Sequence, residues 1–138
     1  MTTDTLSAKK RPEFRNIHVT QLANYRLPPA GKLSILHRVS GAALFLLLPL
    51  LLWLFDLSLI SELGFGRLRE VASHWLMKLV LLGVIWSFLH HFFAGIRYLL
   101  LDLHIGIEKE PANRSALIVF ALSLPLTLLA GLKLFGVF

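Results

Sequence analysis

The 138-residue chain is 56% hydrophobic and only 16% charged, whereas an ordinary water-soluble domain has about a quarter of its residues charged. It has no cysteine, which rules out disulfides, iron–sulfur ligation, thioether-attached haem and thiol chemistry on this chain and leaves histidine as the route to any metal or redox centre. A net charge of +6 and a pI near 10.2 raise nucleic acid as a partner, but Lys9, Lys10, Arg11, Arg15, Arg26, Lys32 and Arg38, half of the 14 basic residues, precede the apolar run ALFLLLPLLLWLF. That asymmetry belongs to a cytoplasmic membrane flank, so no nucleic acid is expected.

Residues 1–32 form a polar amino-terminal segment with too little apolar content for a core of its own, expected to lie along the membrane surface or to dock on a partner. Met1 to Pro12 carries the KKRP cluster and lacks the apolar centre of a cleaved signal, so the amino terminus is expected in the cytoplasm. Three apolar stretches follow, each close to the ~20 residues that a helix needs to cross the hydrocarbon core. They predict membrane spans over about 33–60, 73–103 and 115–138.

Pro49 is expected to kink the first span and Pro125 to bend the third, both tolerable where neighbouring helices cover the freed backbone. SELGFGRLRE, with its glycines and charges, reads as a short loop, and HIGIEKEPANR as a second loop broken by Pro111 and Asn113. Starting inside, three crossings place the first loop and the carboxyl terminus outside and the second loop inside. Fold class is therefore all-α integral membrane, with one three-helix transmembrane domain over 33–138 in the lipid bilayer.

Polar groups at membrane depth carry the functional signal, because a charged side chain near the bilayer centre costs at least ~2.5–3.5 kcal/mol. The second span reads SFLHHFFAGIRYLLLD and holds His90, His91, Arg97 and Asp102. At about 100° per residue, His91, Gly95, Tyr98 and Asp102 fall on one face, which must meet protein or cofactor. A neutral imidazole ligates iron well, and a glycine one turn along removes a side chain where a flat macrocycle or another backbone approaches. His91 is thus a haem ligand or a histidine that bonds a neighbouring helix. His90 is its rival, about 100° away on the side of Ala94, Arg97 and Leu101. Because only this span holds histidines at membrane depth, a six-coordinate haem needs its other ligand from a partner subunit.

A second cluster, GKLSILHRVSG, opens the first span. Ser34 and Arg38 lie one turn apart and His37 flanks them, a hydroxyl, an imidazole and a fixed cation suited to a quinone carbonyl or to haem propionates. A helix cap at Ser34 and a positive-inside arginine at Arg38 explain the same residues without a ligand. His18, His74 and His104 lie outside the spans or at their rims and read as interfacial. Asp56, Lys78 and Lys133 can snorkel, and Trp53, Trp75 and Trp86 read as belt or packing residues. There is no glycine-rich phosphate loop, no Ser/His/Asp arrangement and no paired carboxylates for hydrolytic or nucleotide chemistry.

RP followed by a polar segment, then SILHRVSG, then HFFAGIRYLLLD, in this order and on these spans, resembles the large membrane-anchor (cytochrome b) subunit of bacterial succinate dehydrogenase, respiratory complex II. The resemblance covers nearly the whole chain. It implies half of a haem-binding helical bundle, in which the histidine four residues before the GIR glycine is an axial ligand to the iron of haem b. That position is His91, and on this ground it is preferred to His90.

By the same resemblance Ser34 and Arg38 contribute to the ubiquinone site, and His37 and Arg38 lie near the haem propionates. Many members have a histidine directly after GIR; this chain has Tyr98, whose hydroxyl can donate a hydrogen bond to a propionate. The implied partners are a second small membrane-anchor subunit, an iron–sulfur subunit and a flavoprotein subunit, in a bacterial inner membrane. The chain would serve electron transport in the tricarboxylic acid cycle as a subunit that is not catalytic alone. Two rival functions share the architecture: the anchor of a quinol:fumarate reductase, and a structural membrane subunit without cofactor.

Overall fold

The computed structural model describes Thr20 and residues 25–137. Most of the amino-terminal segment, His18 with it, and Phe138 lie outside the described residues. Four helices follow: α1 Pro29–Ile60, α2 Glu62–Ser73, α3 Trp75–Asp102 and α4 Lys109–Leu134. Of these, α1, α3 and α4 are long and apolar enough to cross a membrane.

Two prolines set where α1 begins. Pro28 precedes another proline and is held extended (φ −64°, ψ 160°), outside the helix, while Pro29 takes the first turn, where its missing N–H is no loss. With no side-chain cap from Pro28, the Ala30 N–H donates instead to Asn113 Oδ1 of α4 at 3.3 Å. One end of α1 is thereby tied to the first turns of α4. Pro49 lies inside α1 without ending it.

The expected first loop is a helix. Ser61 caps α2 by accepting from the Gly64 N–H at 3.0 Å, and Glu62 sits in the first turn, where a negative charge suits the helix dipole. Glycines and charges had suggested a loop; yet Gly64 is needed to fold α2 back on α1, since a Cβ there would lie 2.8 Å from the Leu57 carbonyl oxygen. His74 ends α2 and starts α3, its Nδ1 accepting from the Leu76 N–H at 3.3 Å.

The second loop is shorter than expected, 103–108. His104, in left-handed conformation (φ 62°), terminates α3 by donating to the Leu101 carbonyl (2.9 Å) while Ile105 donates to Leu100 (3.0 Å), the paired bonds of a Schellman motif. Pro111 does not break α4: it stands in the first turn, where proline fits, and Asn113 is helical beside it. Pro125 likewise lies within α4.

Along α3, Val84, Ser87, His90, Ala94 and Arg97 are buried, spaced as one helical face, and they meet the buried Ala116, Val119, Ser123 and Gly131 of α4. Leu82 approaches Gly131 and Arg97 bonds Ser115, so the two helices run antiparallel with small residues in the seam. Leu33, Ala94, Ala116 and Val119 form the core, with Ala30, Phe93, Tyr98 and Phe120 packed around them. Apolar side chains elsewhere are bare: Phe45 is 75% exposed and Leu46 74%. In water such a surface would aggregate; in lipid it is the expected exterior.

A candidate haem and quinone site between α1 and α3

Residues 37, 40 and 41 share the face of α1 that meets α3 near its carboxyl end. The His37 ring stacks on His91 (centroids 4.1 Å apart, planes 8° apart), and Tyr98 leans on His37 (4.9 Å between centroids, tilted 46°). Three of the predicted residues, His37, His91 and Tyr98, therefore come together across the helix pair. Ser34 is half-buried and Arg38 exposed on the same end of α1, and no hydrogen bond joins either side chain to another described residue.

Proton bookkeeping fixes the His91 ring. Its Nδ1 lies 3.1 Å from the His37 carbonyl oxygen and 3.4 Å from Ser40 Oγ, while the Ser40 hydroxyl donates to that same carbonyl at 2.9 Å. A carbonyl only accepts, and the single hydroxyl proton is already directed to it, so Nδ1 must carry the hydrogen. In the neutral ring Nε2 then keeps its lone pair, with no hydrogen-bond partner among the described residues, the arrangement typical of a metal-binding imidazole.

The rival faces elsewhere. His90 is 0% exposed, wedged between Trp86 (5.3 Å) and Phe120 (5.5 Å), and neither of its ring nitrogens has a partner among the described residues. Arg97, only 5% exposed, points to the same side and clamps α4, donating from Nε to Ser115 Oγ (2.8 Å) and from a terminal nitrogen to the Ala112 carbonyl (2.9 Å). Its guanidinium also lies 5.4 Å from the Tyr98 ring centroid, linking the clamp to the other face.

What such a donor set can hold is restricted. Among the described residues no group of three or more His, Cys, Asp or Glu could bind a bare metal ion. His37 and His91 lie flat on one another, so their in-plane lone pairs run in parallel planes and do not converge on one ion. Haem asks for less: its macrocycle supplies the equatorial nitrogens and needs protein only at the axial positions. One oriented imidazole with a free Nε2 fits that need. One turn along, a Cβ built at Gly95 would meet nothing within 4 Å, which leaves open space beside the ligand. A separate cleft of about 710 Å³, lined by Trp53, Leu57, Arg67, Glu70 and His74 among others, lies at the far end of the bundle. Its histidine has Nδ1 engaged in capping α3.

Sequence reasoning missed Ser40 and Gly41. Only their spacing of three and four residues from His37 could have placed them on the same side of α1.

Residues 8–130 match the family described as the succinate dehydrogenase/fumarate reductase transmembrane subunit. The chain belongs to this family. Its relatives there include proteins named succinate dehydrogenase cytochrome b556 subunit. That of Coxiella burnetii is 39% identical over 113 residues, covering 80% of this chain and 89% of the relative. The Paracoccus denitrificans protein is 35% identical over 111 residues (80% and 85%), and that of Rickettsia prowazekii 32% over 120 residues (87% and 90%). Membership accounts for the three apolar helices, as expected of a multi-pass membrane subunit.

Proposed function

We propose that the chain is the cytochrome b anchor of a bacterial succinate:ubiquinone oxidoreductase, with His91 as an axial ligand of haem b and Ser34 and Arg38 at the quinone-reduction site. The observation that carries this reading is the His91 ring, held through Nδ1 on the α1 backbone with Nε2 left to ligate. The names of the relatives favour succinate oxidation over fumarate reduction.

Bound there, haem b supplies a one-electron store beside the quinone. The chain's own residues do the rest. His91 Nε2 would hold the iron, and the second small anchor subunit would complete the haem site. Beside it, His37, Arg38 and the Tyr98 hydroxyl are donors for the propionates. At the cytoplasmic mouth of α1, Ser34 and Arg38 donate hydrogen bonds to a ubiquinone carbonyl, where the iron–sulfur subunit delivers electrons from the flavoprotein. With the amino terminus in the cytoplasm, the docking side for these subunits and the quinone mouth coincide, and the carboxyl terminus is periplasmic.

The test uses the complete detergent-purified complex. Reduction with dithionite gives a b-type absorbance band, and His91→Ala abolishes it; a band of full strength in that variant would defeat the proposal. A charge-assisted hydrogen bond is worth about 1.5–3 kcal/mol, so Arg38→Ala lowers ubiquinone reduction by roughly 10- to 100-fold, and Ser34→Ala by less. Succinate oxidation by an artificial soluble acceptor stays near its original rate in both. Equal loss of the two activities would show that the substitutions act through assembly.

A further inference from the structure

We propose that Ser40 and Gly41 are positioning residues for the haem ligand: Ser40 fixes which nitrogen of His91 faces the iron, and Gly41 clears the seat in which that imidazole lies. The inference rests on the haem reading above.

Ser40 is 0% exposed, deep in the α1–α3 seam, and its hydroxyl has a defined task. By donating to the His37 carbonyl at 2.9 Å it uses its only proton, so toward His91 Nδ1 at 3.4 Å it can act only as an acceptor. The Nδ1–H is thereby shared between two oxygens, a three-centre arrangement that resists rotation of the ring about its Cβ–Cγ bond. A flipped ring would present carbon to the carbonyl and lose both contacts. The serine thus acts on the metal through the histidine, as outer-shell partners of metal-binding histidines do.

Gly41 follows on the same face. A Cβ there would lie 2.8 Å from Cε1 and 3.2 Å from Nδ1 of His91. Those atoms belong to a flat ring already pinned through Nδ1, not to the loose tip of a flexible side chain, so even a methyl group must push the imidazole off its carbonyl. Glycine is therefore required by the partner helix, in a helix where it is otherwise unfavourable relative to alanine by ~1 kcal/mol.

The assembled complex is compared as wild type, Ser40→Ala, Ser40→Thr, Gly41→Ala, His91→Ala and, as a control for a serine equally buried but away from the ligand, Ser123→Ala. Two quantities are read: the rate of haem loss to excess apomyoglobin, and the low-spin electron paramagnetic resonance signal. Losing an outer-shell partner costs metal sites about 10- to 100-fold in affinity. Haem loss from Ser40→Ala is accordingly expected ~10-fold faster with a displaced low-spin signal, Ser40→Thr returns most of both, Gly41→Ala exceeds Ser40→Ala, and Ser123→Ala matches wild type.

The assignment is overturned if Ser40→Ala and Gly41→Ala retain haem as wild type does, if Ser123→Ala accelerates loss as much as Ser40→Ala, or if threonine is no better than alanine at position 40. Should Gly41→Ala fail to assemble, the alanine and threonine variants at 40 decide alone. Retention of haem by His91→Ala would sink the haem reading instead, a separate outcome from any of these.

Discussion

His90 and His91 stand side by side in α3 and meet different halves of the bundle. His90 turns to α4 and is sealed among Trp86 and Phe120, with both ring nitrogens unpartnered among the described residues. His91 turns to α1, stays half-buried, and has one nitrogen committed to a backbone carbonyl. Depth alone would select His90, the more buried of the two. A ligand needs more than depth: one nitrogen must be tied down so that the other points outward with its lone pair, and only His91 has both. The α4 side of α3 is a packing surface with an unpartnered polar group, and the α1 side carries the site proposed above.

The sharpest way to break this contrast is to exchange the polar group at each position for an apolar one. Loss of the haem band in His91→Ala is total if the contrast holds. His90→Phe is expected to keep the full band. Because an unpaired polar group buried in the native state costs about 1–3 kcal/mol, and a larger ring in a packed seam costs a similar amount, the thermal inactivation half-life of the complex should change little. A reduced spectrum lost in His90→Phe and kept in His91→Ala would invert the assignment of the two faces.

Arg97 tests the packing face by itself. Its guanidinium reaches Ser115 Oγ through Nε and the Ala112 carbonyl through a terminal nitrogen, a two-nitrogen fork that the single nitrogen of a lysine does not reproduce. Arg97→Lys keeps the charge, and with it the insertion cost, so any change isolates the geometry. Interhelical hydrogen bonds in membranes average ~0.6 kcal/mol and reach about 1.7, so loss of one charged bond should destabilise the complex by roughly 1–2 kcal/mol. The position of the haem band should not move, because the clamp acts on α4. A shifted band would mean that the contact of Arg97 with the Tyr98 ring couples the two faces.

How much of this was legible in the sequence differs between the lipid scale and the contact scale. The three spans are averages over many residues, and no single side chain could hide them. Helix α2 was misread because Gly64, Gly66 and four charges outweigh its apolar residues; its helicity comes from the Ser61 cap and from packing on α1, neither of which is a compositional signal. Pro111 reads as a breaker in the sequence because composition does not give its offset from the helix start, and proline means opposite things in a first turn and an interior. At the site, the face shared by His91 and Tyr98 follows from spacing within α3. The α1 residues that meet it do not, because the register between two helices depends on what lies between them. Gly41 could be assigned a task only once the His91 ring was seen against it.

The smallest predicted effect lies at the end of the bundle that both faces share. Asn113 of α4 accepts from the Ala30 N–H of α1 at 3.3 Å, standing in for the cap that Pro28 cannot supply. Asn113→Ala should therefore cost about 0.6 kcal/mol, a neutral interhelical bond of ordinary strength. Its consequence is expected locally: α1 frays at Ala30 and Gly31, next to the turn that carries Ser34. Amide hydrogen exchange over the first two turns of α1 should accelerate in the variant while exchange around His91 is unchanged, and ubiquinone reduction should fall by less than in Ser34→Ala. If exchange instead rises equally along all of α1, the stacked His37–His91 pair is not an independent anchor for that helix. The site and the capped end would then be one cooperative unit, and the two sides of α3 could not be treated as separately as His90 and His91 suggest.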